Sequence, residues 1–220
     1  MSWVYRLGHT GARFILFCTM RIRKIRPEMA RREGAYILAT SHLSHLDPFL
    51  LGAMNVRPVD WVTRVEFFKY RFFARLLRKL HAFEVRRSGV PVSTIRTAIT
   101  RLQNGRIVGI CPEGGVMRGK ESCVRDGDIK RGVGLISYRS NAPVLPCVIL
   151  GAEKLNTVGP WLPAKRGRLW VAYGDRLIHP RKDLHRKAAR EEMARELRAE
   201  YVKLFTELKQ TFGVAEDEVP

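Results

Sequence analysis

Six short apolar runs bounded by turn-forming residues recur along the chain, at 35–40, 59–64, 82–85, 106–111, 144–150 and 169–173. They are too short for buried helices and of the right length for buried strands. Between them lie patterns of helical period at 48–54, 66–80, 92–103 and 131–140. That alternation predicts α/β crossovers around a largely parallel, mixed sheet flanked by helices. A long closing helix is predicted over 184–212, where Ala194, Leu197, Tyr201, Leu204 and Leu208 keep a three-four spacing and form one packing stripe. At 220 residues the chain is long enough for one α/β domain with a proper core. No internal repeat, low-complexity tract or linker divides it.

Residues 1–26 read as an N-terminal basic amphipathic helical segment. Trp3, Val4, Leu7, Phe14, Ile15 and Phe17 mix there with Arg6, Arg13, Arg21, Arg23, Lys24 and Arg26, and Pro27 is the expected stop. The uncharged run within it falls well short of the ~20 residues a bilayer span requires. No small-residue cleavage site follows it, so a secretory signal is not expected either. The four cysteines, Cys18, Cys111, Cys123 and Cys147, form no CxxC pair and suggest neither a zinc knuckle nor a disulfide framework; a reducing compartment fits them. The net charge of +19 implies an anionic partner, whether nucleic acid, an acidic membrane surface or a phosphorylated substrate.

Three stretches carry chemistry. The first, Ser41-His42-Leu43-Ser44-His45-Leu46-Asp47-Pro48, follows a predicted strand, and Asp47-Pro48 reads as an N-cap with proline at the first helical position. On a turn leading into a helix, His42 and Asp47 can meet. The carboxylate would then fix one tautomer of the imidazole and leave its other nitrogen to take a proton from a hydroxyl nucleophile. The same stretch admits a metal site of His42, His45 and Asp47, although the other histidines complete no ligand pattern. The second is Cys111-Pro112-Glu113-Gly114-Gly115 behind an apolar strand, where glycines let backbone amides approach a ligand closely. Cys111 reads as a packing residue rather than a nucleophile. The third is His81 to Arg87, a short strand ending in paired arginines, whose planar forks suit phosphate.

Taken in order, these segments resemble the glycerolipid acyltransferase family, which includes the bacterial 1-acylglycerol-3-phosphate acyltransferases. The family's HxxxxD box matches His42 to Asp47, with Ser44 at a position that is often serine. Its second box matches His81 to Arg87, with Arg87 at the arginine position. Its third, Phe-Pro-Glu-Gly-Thr-Arg, matches Cys111-Pro112-Glu113-Gly114, and Lys130-Arg131-Gly132 downstream resembles the Lys-x-Gly that follows it. Its fourth matches 142–147. The chain departs from the pattern at His81, at Arg86 and at Gly115-Val116, with Arg118 a candidate replacement for the missing arginine.

The resemblance implies an O-acyltransferase domain over 31–220 behind a membrane-associating segment at 1–30. His42, oriented by Asp47, would deprotonate the free hydroxyl of a lysophospholipid acceptor, most simply 1-acylglycerol 3-phosphate, for attack on an acyl thioester. The donor would be acyl-CoA or acyl carrier protein as co-substrate, with no bound cofactor and no metal. Ser44, Arg87, Glu113, Gly114, Gly115 and Arg118 would form the acceptor pocket. Another lysolipid or an amino-acid lipid is the alternative acceptor.

The pattern at 66–80 puts Phe68, Phe72, Leu76 and Leu80 on one stripe, widened by Phe73 and Leu77, with Arg71, Arg75, Arg78 and Lys79 on another. A basic amphipathic helix gains about 1 kcal/mol per Lys or Arg beside an anionic membrane. The expected location is therefore the cytoplasmic face of a membrane, peripheral or monotopic. A nucleic-acid-binding basic domain is the alternative of another class. It requires aromatic and basic residues interleaved on an exposed surface, whereas here the aromatics sit with leucines on helix stripes, so no nucleic-acid partner is expected.

Overall fold

Every predicted apolar run is a strand, and one more strand precedes them. The computed structural model describes residues 3–65, 69–79, 81–85, 92–117, 119–125, 127–156, 161–162 and 166–215. In chain order the elements are α1 (Trp3–Thr19), β1 (Met20–Ile25), β2 (Ile37–Thr40), α2 (Asp47–Met54), β3 (Val59–Arg64), α3 (Arg71–Lys79), β4 (Phe83–Val85), α4 (Val92–Gln103), β5 (Ile107–Ile110), α5 (Gly132–Ser140), β6 (Val144–Leu150), β7 (Gly167–Tyr173) and α6 (Arg186–Phe212). The strands form one seven-stranded sheet in the order β1-β7-β6-β2-β5-β3-β4. All neighbouring pairs run parallel except β6 and β7.

The N-terminal helix ends seven residues earlier than 1–26 predicts. Thr19 closes it with Oγ1 on the Ile15 carbonyl at 2.7 Å, and Met20–Ile25 then pairs with β7 from Met20 against Gly167 to Ile25 against Ala172. The physical reason is the period-two alternation Met20-Arg21-Ile22-Arg23, which puts Met20 and Ile22 on one face of the sheet and the arginines on the other. Arg26 then turns the chain in the left-handed conformation, with φ 52°. Its guanidinium ties Tyr173 O (2.8 Å) and the Glu207 carboxylate of α6 to the edge strand.

The sheet is buried on both faces. Ile37, Ala39, Val108, Val144 and Val148 face α4, α5 and α6. Tyr36, Leu38, Ile107, Leu145 and Ile149 face α1 and α2. Such two-sided burial is why the strands read as continuous apolar runs rather than alternating ones. The α6 stripe is Met193, Leu197, Tyr201, Leu204 and Leu208, with Ala194 only half-buried. On β3 the fully buried Asp60 accepts both arms of Arg106 at 2.6 Å and Arg101 at 2.8 Å, which joins β3, the entry to β5 and α4.

Two helices carry exposed features. Helix α1 buries Tyr5 and Leu16 but leaves Leu7, Phe14, Ile15 and Phe17 between 51% and 76% exposed. Helix α3 is shorter than 66–80; it buries Ala74 and Leu77 and exposes Arg71, Arg75, Arg78 and Lys79. Phe68 and Leu80, and the side chains of Phe72, Phe73 and Leu76, lie outside the described residues. Among the described residues no helix is long and apolar enough to cross a membrane.

Candidate active site

Strands β2 and β5 are parallel neighbours, with Ala39 opposite Ile110, so the loops leaving their carboxyl ends lie side by side. Ligand sites of open α/β sheets form at this end of the strands. The first loop is pinned by β6, since Ser41 N donates to Cys147 O (3.1 Å) and Ile149 N donates to Ser41 Oγ (3.3 Å). It is also stitched to the second loop through both backbone polar groups of one residue. The His42 N–H donates to Glu113 Oε1 at 2.8 Å, and the His42 carbonyl accepts from Met117 N at 3.1 Å.

Asp47 is not the N-cap that Asp47-Pro48 suggests. It is the first residue of α2, behind an uncapped Leu46, and its carboxylate turns back into the preceding loop. Oδ2 accepts the N–H groups of Leu43 and Ser44, both at 2.8 Å, and stands 3.4 Å from His42 Nδ1. The proline-initiated start of α2 puts the aspartate at the mouth of a tight turn, where the loop amides are nearer than those of its own helix. Asp47 is fully buried and His42 retains 14% side-chain exposure. Nδ1 is itself buried, so the remaining exposure belongs to the other edge of the ring. Burial raises the Asp47 carboxyl above its ordinary value; the contact with His42 and the bonds from Ser44 and Leu43 offset part of that rise. The 3.4 Å separation is at the outer limit of hydrogen bonding, and Nδ1 makes no hydrogen bond among the described residues.

Glu113 is 2% exposed. Besides the His42 N–H, its Oε1 accepts the Cys123 thiol at 2.9 Å, and no hydrogen bond reaches Oε2 among the described residues. Burial raises this carboxyl too, against the lowering effect of the bonds from Cys123 and His42. Gly114 follows in the left-handed region with φ +77°, a conformation that explains a glycine there.

The structure thus brings His42, Ser44, Asp47, Glu113, Gly114 and Gly115 into one corner of the sheet. Ser44 is buried, and its hydroxyl accepts from Leu46 N at 3.2 Å inside the turn. Arg87 and Arg118 lie outside the described residues. His45 is exposed, with its ring 6.1 Å from that of His42, and among the described residues no three His, Cys, Asp or Glu side chains converge as metal ligands do. Burial, with the nearby carboxylates of Asp47 and Glu113, pushes the Cys111 thiol well up, which is unfavourable for a thiolate nucleophile. The sequence gives no sign that Cys123 belongs to the site. It opens a single short 3-10 turn, Cys123–Arg125, without periodicity, and only its buried contact with Glu113 reveals it.

A histidine beside a buried carboxylate thus stands at the carboxyl end of a mostly parallel sheet, and residues 21–150 match the Acyltransferase family. The chain belongs to that family and is an O-acyltransferase. It is similar to the 1-acyl-sn-glycerol-3-phosphate acyltransferase of Bacillus subtilis (strain 168), with 28% identity over 176 residues, covering 79% of this chain and 82% of the relative. Its fold is shared with the crystal structure of the 1-acyl-sn-glycerophosphate (LPA) acyltransferase PlsC from Thermotoga maritima. The TM-score is 0.60 at 19% identity, over 89% of this chain and 77% of that one.

Proposed function

We propose that the enzyme transfers a fatty acyl group from an acyl thioester to the free hydroxyl of 1-acylglycerol 3-phosphate, giving phosphatidic acid. The observation that carries the mechanism is the fully buried Asp47 carboxylate 3.4 Å from His42 Nδ1. In that arrangement Nδ1 keeps its proton facing Asp47, and Nε2 accepts the proton of the acceptor hydroxyl. The freed oxygen attacks the thioester carbonyl, the carbon–sulfur bond breaks, and the thiolate leaves with a proton from the imidazolium. Asp47 stabilises that imidazolium, and no covalent acyl-enzyme is required. Glu113 holds the peptide of His42 in place, while the glycine turn behind it, with Arg87 and Arg118, receives the acceptor's polar end. Acyl-CoA and acyl carrier protein both suit the donor role.

The enzyme lies on an anionic membrane surface. Leu7, Phe14, Ile15 and Phe17 on α1 are exposed beside the exposed Arg6 and Arg13, and α1 packs on α2, whose first residue is Asp47. An apolar face rimmed by arginines suits the interface of such a membrane, and it would hold the site close to its lipid acceptor. The test is purified protein in mixed micelles with lysophosphatidate and an acyl-CoA, following thiol release and lipid product, beside His42→Ala. Product from the wild type that is lost in the variant supports the reading. Equal product from both removes His42 as the base.

A further inference from the structure

A cavity of about 270 Å³ lies between the β1 edge of the sheet and the close of α6. It is lined by Arg21, Arg23, Arg168, Trp170, Phe212 and Gly213. Strand alternation points both β1 arginines away from Met20 and Ile22, so the cavity opens on the α6 face of the sheet, opposite α1. Arg23 is steadied by the Phe212 ring, whose centroid is 5.6 Å from the guanidinium carbon. Arg21 and Arg23 are exposed, and among the described residues neither meets a carboxylate. The cavity also stands at the catalytic end of the sheet. Thr40, the last residue of β2, pairs with Cys147, whereas Trp170 pairs with Leu150, further along β6, and with Arg23. Trp170 and Arg23 are therefore level with the loop beyond Thr40 that carries His42. Three strand spacings of about 4.8 Å separate β1 from β2, roughly 15 Å in all. Cations mark the way between. About two helical turns before Phe212, the Phe205 ring carries Arg125 and Lys209, each 5.7 Å from its centroid. Arg125 closes the turn whose Cys123 donates to Glu113.

Arginines around a concave space of this size suit a small ligand with clustered phosphates. Their planar forks take phosphate oxygens in pairs, and the volume is near the ~300 Å³ at which small-molecule sites begin. An acidic carrier protein would need a broader face, of about 800 Å². A membrane lipid would be met on the other side, where Leu7, Phe14, Ile15 and Phe17 of α1 are exposed. The pantetheine arm of coenzyme A, with about a dozen bonds from phosphate to sulfur, spans about 15 Å at the per-bond reach of an extended chain. A nucleotide in the cavity would thus deliver its thioester to His42. We infer that Arg21, Arg23 and Arg168 hold the diphosphate and 3′-phosphate of coenzyme A, which makes acyl-CoA the donor rather than acyl carrier protein. This rests on the acyl-thioester reading above and chooses between its two donors.

The test is calorimetric binding of CoA and of pantetheine to the full chain in non-ionic detergent micelles, for wild type, Arg21→Gln with Arg23→Gln, and Arg23→Lys. The KM for lysophosphatidate and sedimentation with anionic liposomes are measured beside it. The double variant should bind CoA about 10- to 100-fold more weakly, from the loss of charge-assisted contacts, and pantetheine no differently. Its KM for lysophosphatidate should stay within a few-fold of wild type, and Arg23→Lys should regain part of the CoA affinity. Unchanged CoA affinity, equal loss for pantetheine, or a wild type that binds CoA no tighter than pantetheine overturns the assignment. So does a raised KM for lysophosphatidate, or lost liposome binding, with CoA binding intact; the cavity then belongs to the acceptor or to the membrane. Product from acyl carrier protein but not from acyl-CoA overturns the donor choice and the site with it. A folded wild type that acylates no lysophosphatidate overturns the acceptor reading alone, because CoA binding needs no acceptor. Matching thermal unfolding curves separate these outcomes from misfolding.

Discussion

The backbone N–H of His42 donates to Glu113 Oε1 at 2.8 Å across 71 residues of chain. The glutamate therefore acts on the histidine through its peptide rather than its ring, and it fixes where the imidazole stands before any substrate arrives. Asp47 acts on the same loop from the other side, through the N–H groups of Leu43 and Ser44. Two buried carboxylates thus hold one exposed-edge imidazole.

His42→Ala should lower kcat by about 100- to 10,000-fold, the range a positioned general base supplies. Because the bonds that pin the loop are made by the backbone of His42, thermal unfolding should change little. A large loss of Tm would show that the ring is structural.

Asp47→Ala and Asp47→Asn should separate two roles. Alanine leaves the Leu43 and Ser44 N–H groups buried without an acceptor, at a cost of about 1–3 kcal/mol per group. Asparagine retains an acceptor oxygen and should recover much of that stability. It lacks the charge that stabilises the imidazolium, so its activity should stay low. Denaturant melts and initial rates on both variants check this, and recovery of rate in Asp47→Asn would remove the electrostatic role.

Glu113 carries a pH signature. Its folded value lies above its unfolded one because burial outweighs the bonds from Cys123 and His42. The folded state therefore binds the proton more tightly, and stability falls as pH rises from the ordinary glutamate range through the raised folded value. Glu113→Gln keeps an oxygen for both donors and removes the titration. Its Tm should lose that part of the pH dependence and, at neutral pH, equal or exceed that of the wild type. A Tm profile parallel to that of wild type over this range would contradict the assignment.

Asp60→Asn tests the fold away from the site. It leaves the partly exposed Arg101 and Arg106 facing a neutral group. Because both guanidiniums reach solvent, the loss should fall short of about 3–5 kcal/mol, the cost of breaking a fully buried pair. The KM values of the protein that remains folded should be unchanged. Urea unfolding measures the loss, and a cost below 1 kcal/mol would mean the cluster is effectively solvated.

Phe14→Ser with Phe17→Ser should weaken sedimentation with anionic liposomes by about tenfold or more per phenylalanine, from the apolar area withdrawn from the interface. Rates measured in detergent micelles should fall far less than the binding does. Unchanged liposome binding would move the contact from α1 to another surface.

Most of the fold was legible because the sheet is buried on both faces. Strands such as Val59–Arg64 and Val144–Leu150, and the helix Val92–Gln103, fall at their predicted bounds. In each, one hydrophobic period and clear turn residues agree. Met20–Ile25 failed because it is an edge strand of alternating apolar and basic residues attached to a helix of the same composition, and local composition does not distinguish the two. Pairing with β7 decides it.

The site divides in the same way. The sequence by itself determined that His42 and Asp47 meet, since both lie within one turn and local geometry alone can bring them together. It also marked the glycine turn as a place where backbone could meet a ligand. Only the tertiary structure decided that Glu113 grips the peptide of His42, that Cys123 donates to Glu113, and that Lys130 lies over Gly114. Those contacts join segments 10 to 71 residues apart through parallel pairing of β2 with β5 and an irregular return of the chain. No periodicity records such a pairing, because it is set by which strand ends become neighbours once the sheet has closed.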